Sequence, residues 1–264
     1  MNIHGRAALL ALCIPALVLP PAPTLGAEET EIRILCSNGM KAAVEKLMPE
    51  YERSMGQRMK VQYGTSANIQ RSIENGEPFD LAILTQQIVG DLMKEGKIAP
   101  GSRVDLASSG IGIAFRAGSP KPDVSTPEAI KQTLLKAKSI AYVKEGASAP
   151  AIADMFHTLG ISQEVQNKVV FEPGAEKNMA SVAEGQAELA FGLVSEIVPA
   201  PGVQLAGPVP PKFQKPITMS AGIASSTKNR EAVNKIIQSL TSAEASSTIK
   251  ATGLEPAPAS KFHP

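Results

Sequence analysis

Small residues occupy four places where a predicted strand turns into a predicted helix, and together they could bind an anion. The turns contain Ser37, Ser66, Ser148 and the pair Gly174-Ala175. A helix N-terminus exposes unpaired N–H groups and about half a positive charge, so several N-termini at one cleft can hold an anion without a cationic side chain. Small side chains let the backbone approach the ligand, and a serine hydroxyl adds a hydrogen-bond donor. The pattern therefore predicts an anion site that needs no cofactor.

A structural interpretation of the same residues is helix capping, because serine and glycine are common caps that need bind nothing. The recurrence of small residues at several such turns favours ligand binding over capping alone. The turns fall in two separate parts of the chain, and residues 64–67 (GTSA) are nearly repeated at residues 146–149 (GASA). Hydrogen bonds to a charged group contribute about 1.5–3 kcal/mol each. Four or five of them would supply the roughly 8 kcal/mol that micromolar affinity requires.

Motifs and composition exclude several other chemistries. The sequence contains no P-loop and no G-x-G-x-x-G, G-x-S-x-G or H-E-x-x-H motif. Three histidines and two cysteines are too few and too scattered to form a metal site, so we expect none. A formal net charge of +1 leaves no excess of basic residues for nucleic acid, and we expect no nucleic-acid partner.

The elements that would position these turns alternate along the chain. Short apolar strands are followed by helices with apolar residues at i, i+3, i+4 and i+7. In the first such unit the strand 31–36 precedes a helix that carries Val44, Leu47 and Met48. Alternating strands and helices of this kind are typical of a parallel sheet covered on both faces. Pro49 predicts a kink in the first helix, or two shorter helices.

Changes in composition divide the chain into two lobes. Residues 116–127 are rich in Gly, Ser and Pro, and residues 199–216 contain six prolines, as irregular crossings do. We predict an α/β protein of two Rossmann-like lobes joined by two crossings. The first lobe would be residues 28–113 and 217–264, and the second residues 114–216. A cleft between two lobes is a common place for a small ligand.

The first 27 residues have the pattern of a secretory signal. Arg6 precedes an apolar run from residue 7 to residue 19, and the segment ends in the small pair Gly26-Ala27. The run is too short for a membrane-spanning helix. We predict export and a mature chain of 237 residues, with 25 basic and 25 acidic side chains. Cys36 would be its one cysteine, which excludes an internal disulfide, and we expect a monomer.

Several segments resemble the molybdate-binding type of periplasmic solute-binding protein, a family that feeds ABC importers. The resemblance covers nearly all of the mature chain and is carried by residues 34–37 (ILCS), 64–69 (GTSANI) and 79–84 (FDLAIL). Further segments are similar to a branch of the family whose ligand is poorly defined: residues 118–123 (GSPKPD), 185–189 (GQAEL) and 207–210 (GPVP). The resemblance implies a type II periplasmic binding protein fold, a periplasmic location, a small anionic ligand and an ABC permease as partner.

The resemblance also assigns residues to the site. In molybdate binders two serines of the first lobe, backbone amides of the second lobe and a tyrosine hydroxyl hold the oxyanion. The serines match Ser37 and Ser66 here, and the amides fall at Ser148 and about Ala175. The tyrosine position falls on Leu193, which removes a donor. We therefore predict a weaker preference for tetrahedral oxyanions than for carboxylates.

The same branch is similar to aconitate isomerase, an exported enzyme of this family that acts on a small tricarboxylate. Moving a double bond takes a proton from one carbon and returns one to another, so an isomerase needs an acid/base group in the cleft. Lys144, Glu145 and Glu196 lie near the predicted cleft turns. Each also fits a solvated surface charge, and we expect a binding protein rather than an enzyme. A sensor subunit that presents its ligand to a membrane receptor is a third possibility, which the sequence does not separate from transport.

Overall fold

The computed structural model describes Met1 and residues 31–258. Apart from Met1, the predicted signal lies outside the described residues. In this part of the chain the strands are β1 (Ile32–Ser37), β2 (Met59–Gly64), β3 (Leu81–Thr85), β4 (Val104–Ser109), β5 (Ile111–Arg116), β6 (Ile140–Val143), β7 (Val169–Glu172), β8 (Leu189–Leu193), β9 (Val203–Pro208), β10 (Ile217–Ile223) and β11 (Glu255–Pro256).

The helices of the same part of the chain are α1 (Asn38–Met55), α2 (Ser66–Glu74), α3 (Gln86–Lys94), α4 (Pro127–Lys136), α5 (Ala149–Thr158), α6 (Ser162–Gln166), α7 (Ala175–Ala183), α8 (Val194–Ile197), α9 (Arg230–Leu240) and α10 (Ala243–Ala251). A short 3₁₀ turn spans Pro211–Phe213. Among the described residues, no helix combines the length and the apolar character needed to cross a membrane.

Six strands form the sheet of the first lobe, in the order β11-β4-β10-β3-β1-β2. β1 pairs in parallel with β2 and β3, whereas β10 pairs antiparallel with β3 and β4. The register places Ser37 opposite Gly64 and Cys36 opposite Ile83. The turns that follow β1, β2 and β3 therefore lie together at one edge of this sheet.

Five strands form the sheet of the second lobe, in the order β7-β6-β8-β5-β9. β6 pairs in parallel with β7 and β8, whereas β5 pairs antiparallel with β8 and β9. Val143 lies opposite Glu172, and Ala141 lies opposite Ala190. The turns that lead into α5, α7 and α8 consequently share one edge of the second sheet.

Helices cover both faces of each sheet. Successive residues of a strand point to opposite faces, so Ile34 packs under α1, α9 and α10 while Leu35 packs under α2 and α3. In the second lobe α4, α5 and α6 pack on one face, and α7 and α8 on the other. α1 is one helix of 18 residues that contains Pro49, so of the two predicted alternatives, a kink or two shorter helices, the second is wrong. Burial of its apolar face, which includes Leu47 and Met48, offsets the backbone hydrogen bond that proline removes.

The chain passes between the lobes twice, at Gly110 and at residues 209–216. The two crossings lie side by side because the strands that flank them are paired. In the first sheet β4 pairs with β10, and Ser109 lies opposite Ile217. In the second sheet β5 pairs with β9.

Gln214 joins the two crossings through its side-chain amide. The amide nitrogen donates to the carbonyl oxygen of Ile111 at 3.1 Å and also to that of Val209. The amide oxygen accepts a hydrogen bond from the N–H of Ile111. One side chain of the second crossing is therefore hydrogen-bonded to Ile111, the residue that follows the first crossing.

The predicted fold class, an α/β protein of two lobes joined by two crossings, is confirmed, but several details differ. Each sheet is mixed rather than parallel, because β10 and β5 run antiparallel to their neighbours. β5 belongs to the second sheet, so the first crossing lies at Gly110 and not near residue 114. The apolar pattern does not predict β4 or β9, since their sequences, VDLASS and VQLAGP, are rich in small and polar residues.

Candidate functional site

Helix capping does not account for the three predicted site serines. Ser37 is the N-cap of α1 and Ser148 is the N-cap of α5, yet neither side chain accepts a capping hydrogen bond. In α2 the cap is Thr65, whose Oγ1 accepts from the N–H of Asn68 at 3.1 Å, so Ser66 is already inside the helix. All three serines are buried. Their hydroxyls are therefore free of the capping role that the residue types suggest.

Ser66 makes a different structural contact. Its Oγ accepts a hydrogen bond from the N–H of Thr85, 3.2 Å away, and Thr85 is the N-cap of α3. The bond links the start of α2 to the end of β3. Because a hydroxyl can accept and donate at once, this bond leaves the hydrogen of Ser66 free to donate to a ligand.

A small cavity between the lobes collects the predicted ligand residues. Its volume is about 30 Å³, which is room for roughly two water molecules. All five predicted ligand residues line it: Ser37, Ser66, Ser148, Ala175 and Leu193. Most of the other lining residues are not predicted from the sequence; the full set is Asn38, Thr65, Val143, Gly146, Ala147, Phe191, Gly192, Glu196 and Met219.

Some of these additional residues have a signal in the sequence and others have none. Asn38, Thr65 and Ala147 are chain neighbours of the predicted serines, so the strand-to-helix turns themselves point to them. Met219 comes from β10, more than a hundred positions away in the chain from the first-lobe turns. No local pattern connects such a residue with the site, because sheet pairing alone brings it there.

The electrostatics of the small cavity favour an anion. The N-termini of α1, α2, α5 and α7 meet there, and each helix has nine or more residues. Their unpaired N–H groups and the serine hydroxyls are all donors. Among the lining residues there is no lysine or arginine. Within residues 31–258 no group of three His, Cys, Asp or Glu side chains is placed to hold a metal ion.

One side of the small cavity is apolar. Leu193 lies there, 3% exposed, and it packs into the core of the first lobe although it belongs to β8 of the second. Gly39 permits this close approach of α1, because a Cβ at that position would lie 2.9 Å from Cδ1 of Leu193 and 2.5 Å from Cε of Met219. The side chain of Leu193 therefore contributes only hydrocarbon surface to the cavity.

Glu196 brings an acidic side chain into the wall of the same cavity. It is partly buried, and its Oε2 accepts a hydrogen bond from the N–H of Leu193 at 3.0 Å. Burial raises the pKa of Glu196 to about 7, although the bond from Leu193 acts in the opposite direction. Near neutral pH the side chain therefore exists both as a neutral acid, which can donate a hydrogen bond, and as a carboxylate, which can accept a proton.

The other two acid/base candidates, Lys144 and Glu145, do not line the cavity. Glu145 accepts a charged hydrogen bond from Arg71 of α2 across the cleft, with 2.5 Å between Nη2 and Oε2. The Nζ of Lys144 lies 5.6 Å from the centre of the Phe171 ring. Of the three candidates, the structure brings Glu196 to the predicted ligand residues and places the other two outside them.

A second ion pair also connects the lobes. Lys41 of α1 donates to Glu176 of α7, and this contact raises the pKa of Lys41 more than its partial burial lowers it. The pairs Lys41–Glu176 and Arg71–Glu145 thus both join a helix of the first lobe to a segment of the second.

Known proteins resemble this chain along most of its length. The family model described as bacterial extracellular solute-binding protein matches residues 32–255. The aconitate isomerase of Pseudomonas sp. is 32% identical over 257 residues, which cover 95% of this chain and 98% of that protein.

Solved structures share the fold at lower identity. The periplasmic molybdate-binding protein of Azotobacter vinelandii has a TM-score of 0.74 at 20% identity, covering 84% of this chain and 98% of that one. The tungstate ABC transporter protein of Geobacter sulfurreducens has a TM-score of 0.64 at 13% identity, with coverage of 84% and 98%. The type II periplasmic binding protein fold implied by the sequence is thereby confirmed. By the family match along its length, the chain belongs to the bacterial extracellular solute-binding proteins.

Proposed function

We propose that the exported chain captures a small anion in the small cavity between its lobes and delivers it to an ABC importer. The observation that carries the proposal is the lining of that cavity. Four helix N-termini and three serine hydroxyls without a capping role converge there, with no cationic side chain among the lining residues. Membership of the solute-binding family supports the transport role, and the predicted signal supports a periplasmic location.

The apolar side of the small cavity favours a carboxylate over a tetrahedral oxyanion. A tetrahedral oxyanion presents oxygens in four directions, whereas a carboxylate has two oxygens on one side and carbon on the other. An oxygen that faced Leu193 or Met219 would lose its hydrogen bonds to water without replacement, which is costly for a charged group. A carboxylate can turn its carbon toward these residues and its oxygens toward the donors.

Titration calorimetry with acetate, citrate, sulfate and molybdate tests the proposal. We expect at least one carboxylate to bind with micromolar affinity or better, and molybdate to bind more weakly. The Ser37→Asp variant, which places a carboxylate of the protein in the cavity, is the non-binding control. Submicromolar binding of molybdate with no carboxylate bound would overturn the ligand class. Absence of binding by every anion would overturn the proposal itself.

A second candidate function is proton transfer on a small polycarboxylate. Two observations favour it: the 32% identical relative is an aconitate isomerase, and Glu196 lies in the cavity wall with a pKa of about 7. Ionised Glu196 would remove a proton from a methylene carbon, and the electron pair of that C–H bond would form the new double bond. The former double bond would take the proton back at its far carbon, so that Glu196 returns to the carboxylate.

Incubation with cis-aconitate, followed by proton NMR, separates the two candidates. An isomerase would produce an isomeric product, and Glu196→Gln would abolish turnover while keeping the side chain's size. Glu145→Gln is the matched control, because Glu145 lies outside the lining and its substitution should leave turnover at saturating substrate unchanged. Tight binding of carboxylates without turnover would contradict the enzyme and leave the binding protein.

A further inference from the structure

A much larger cavity adjoins the small one. Its volume is about 530 Å³, which lies in the range of pockets that hold organic ligands. It lies between α1 of the first lobe and α7, α8 and the segment that follows α8 in the second lobe. Its wall is mainly apolar, and the residues that provide this surface are Ala42, Met179, Ala180, Ala183, Pro199 and Ala200.

The two cavities share part of their walls. Asn38, Ala175 and Glu196 line both of them. A molecule held by the donors of the small cavity therefore has the large cavity as one neighbouring space. Since about 30 Å³ is too little for an organic molecule, an organic anion in this site must extend beyond the small cavity.

Polar groups in the large cavity point to the kind of substituent it would take. Ser195 also lines this cavity, but its Oγ is fully buried and has no hydrogen-bond partner among the described residues, so the hydroxyl offers no donor at the cavity surface. Glu45, Glu176 and Glu184 also line the cavity, against a single lysine, Lys41. This excess of carboxylates repels a second anionic group of the ligand.

We infer that the ligand is an organic monoanion, with its carboxylate in the small cavity and an uncharged, mainly apolar substituent in the large cavity. This inference rests on the proposed function and narrows it to one class of carboxylate. Inorganic oxyanions would leave the large cavity without a ligand group, and tricarboxylates would place charge beside its glutamates.

A series of straight-chain monocarboxylates from acetate to hexanoate provides the test, with citrate and molybdate for comparison. Each methylene buried in the large cavity should raise the affinity about fourfold. Titration calorimetry should show this rise, and it should show citrate binding more weakly than hexanoate. An affinity that does not change with chain length would overturn the inference.

Filling the large cavity supplies an independent test. Ala180 is partly exposed on α7 and lines the large cavity but not the small one. Ala180→Phe should weaken hexanoate binding at least about tenfold, because the ring occupies the space of the substituent, and should leave acetate binding within about twofold, because the carboxylate site is unchanged. Ala153→Phe is the matched control, since Ala153 is exposed on α5 and lines neither cavity.

The outcomes distinguish this inference from the proposed function. If Ala180→Phe lowers the melting temperature markedly, Ala42→Leu on the opposite wall replaces it. If acetate binds and neither variant discriminates hexanoate from acetate, the inference fails while anion capture stands. If neither acetate, hexanoate nor molybdate binds the parent protein, the inference and the proposed function fail together.

Discussion

The two lobes face the same small cavity with different chemistry. The first lobe brings the N-termini of α1 and α2 with the hydroxyls of Ser37 and Ser66. The second lobe brings the N-termini of α5 and α7, where Ser148 supplies a hydroxyl but Ala175 supplies only backbone, together with the carboxyl group of Glu196.

The difference suggests separate tasks for the two lobes. The donors of the first lobe do not titrate in the physiological range, so their contribution to anion affinity should be independent of pH. The second lobe contains a group whose charge changes near neutral pH, so its contribution should depend on pH. Variants in each lobe can therefore test whether anion affinity depends on pH through the second lobe and not through the first.

The largest effect is expected from Ser37→Asp in the first lobe. Aspartate is as good an N-cap as serine, so α1 should keep its stability. Its carboxylate would lie beside the bound anion, and two like charges about 4 Å apart repel by about 4 kcal/mol at an effective dielectric constant of about 20. Affinity for the tightest-binding carboxylate, measured by calorimetry, should fall about a thousandfold. The neutral variant Ser37→Asn should lose far less, and an equal loss in both would show that charge is not the cause.

Ser66→Ala should have the next largest effect. It removes one hydrogen bond to a charged ligand, which costs about 1.5–3 kcal/mol of binding, or roughly a tenfold to hundredfold loss of affinity. It also leaves the buried N–H of Thr85 without its acceptor, so the free energy of unfolding should fall by about 1–3 kcal/mol. Calorimetry and urea unfolding of the same variant measure the two effects.

A cap outside the site provides the control for Ser66→Ala. Oγ1 of Thr126 accepts from the N–H of Ala129 at the start of α4. Thr126→Ala should therefore lower the unfolding free energy by about 1 kcal/mol and leave the affinity unchanged. A Ser66→Ala protein that is destabilised but binds as tightly as the parent would contradict a ligand role for Ser66.

The effect of pH on anion affinity, which we assign to the second lobe, should be smaller than the effects of the two serine variants. If the anion binds only while Glu196 is protonated, its affinity follows the protonated fraction and should be about tenfold weaker at pH 8 than at pH 6. Because the folded protein holds this proton more tightly than the unfolded chain, stability should also fall as pH rises from 4.5 to about 7. Glu196→Gln should remove both dependences, and Glu164→Gln, at an exposed position of α6, should remove neither. A parent protein whose affinity is equal at pH 6 and pH 8 would contradict the contrast between the lobes.

The smallest effect is expected where the lobes meet at their surface. The side chains of Arg71 and Glu145 are 53% and 57% exposed, and exposed ion pairs contribute about 0–1 kcal/mol. Glu145→Gln should therefore weaken ligand binding at most about fivefold at low salt, and less at high salt because ions screen the pair. A loss above tenfold that persists in salt would assign Glu145 to the site itself.

The parts of the site that depend on local sequence are the parts that the sequence predicts. A strand, a small polar turn and an amphipathic helix are local patterns, and they point to Ser37, Ser66, Ser148 and Ala175. The same pattern does not decide that Thr65 rather than Ser66 caps α2, because either residue type can cap. The hydrogen bond between Ser66 and Thr85 joins the start of α2 to the end of β3, so it depends on how the strands that precede them pair in the sheet.

The remaining features require the packed structure. Lys144, Glu145 and Glu196 are equivalent in sequence, and burial between the lobes distinguishes Glu196. The large cavity is lined by alanines of α1 and α7, which in sequence are ordinary helix formers. Strand β4 ends in two serines and shows no strong apolar pattern, so the sequence does not reveal it. For this reason the predicted start of the second lobe, residue 114, lies a few residues after the observed crossing at Gly110.

The link that Gln214 makes between the two crossings has a mechanical consequence. Two neighbouring chain segments tied by one amide should bend together and resist twisting of one segment about the other. Lobe opening should then follow a single hinge axis through Gly110 and the segment 209–216. Along such a path the two ion pairs between the lobes and the walls of both cavities would separate in one concerted displacement, which would open the site to solvent.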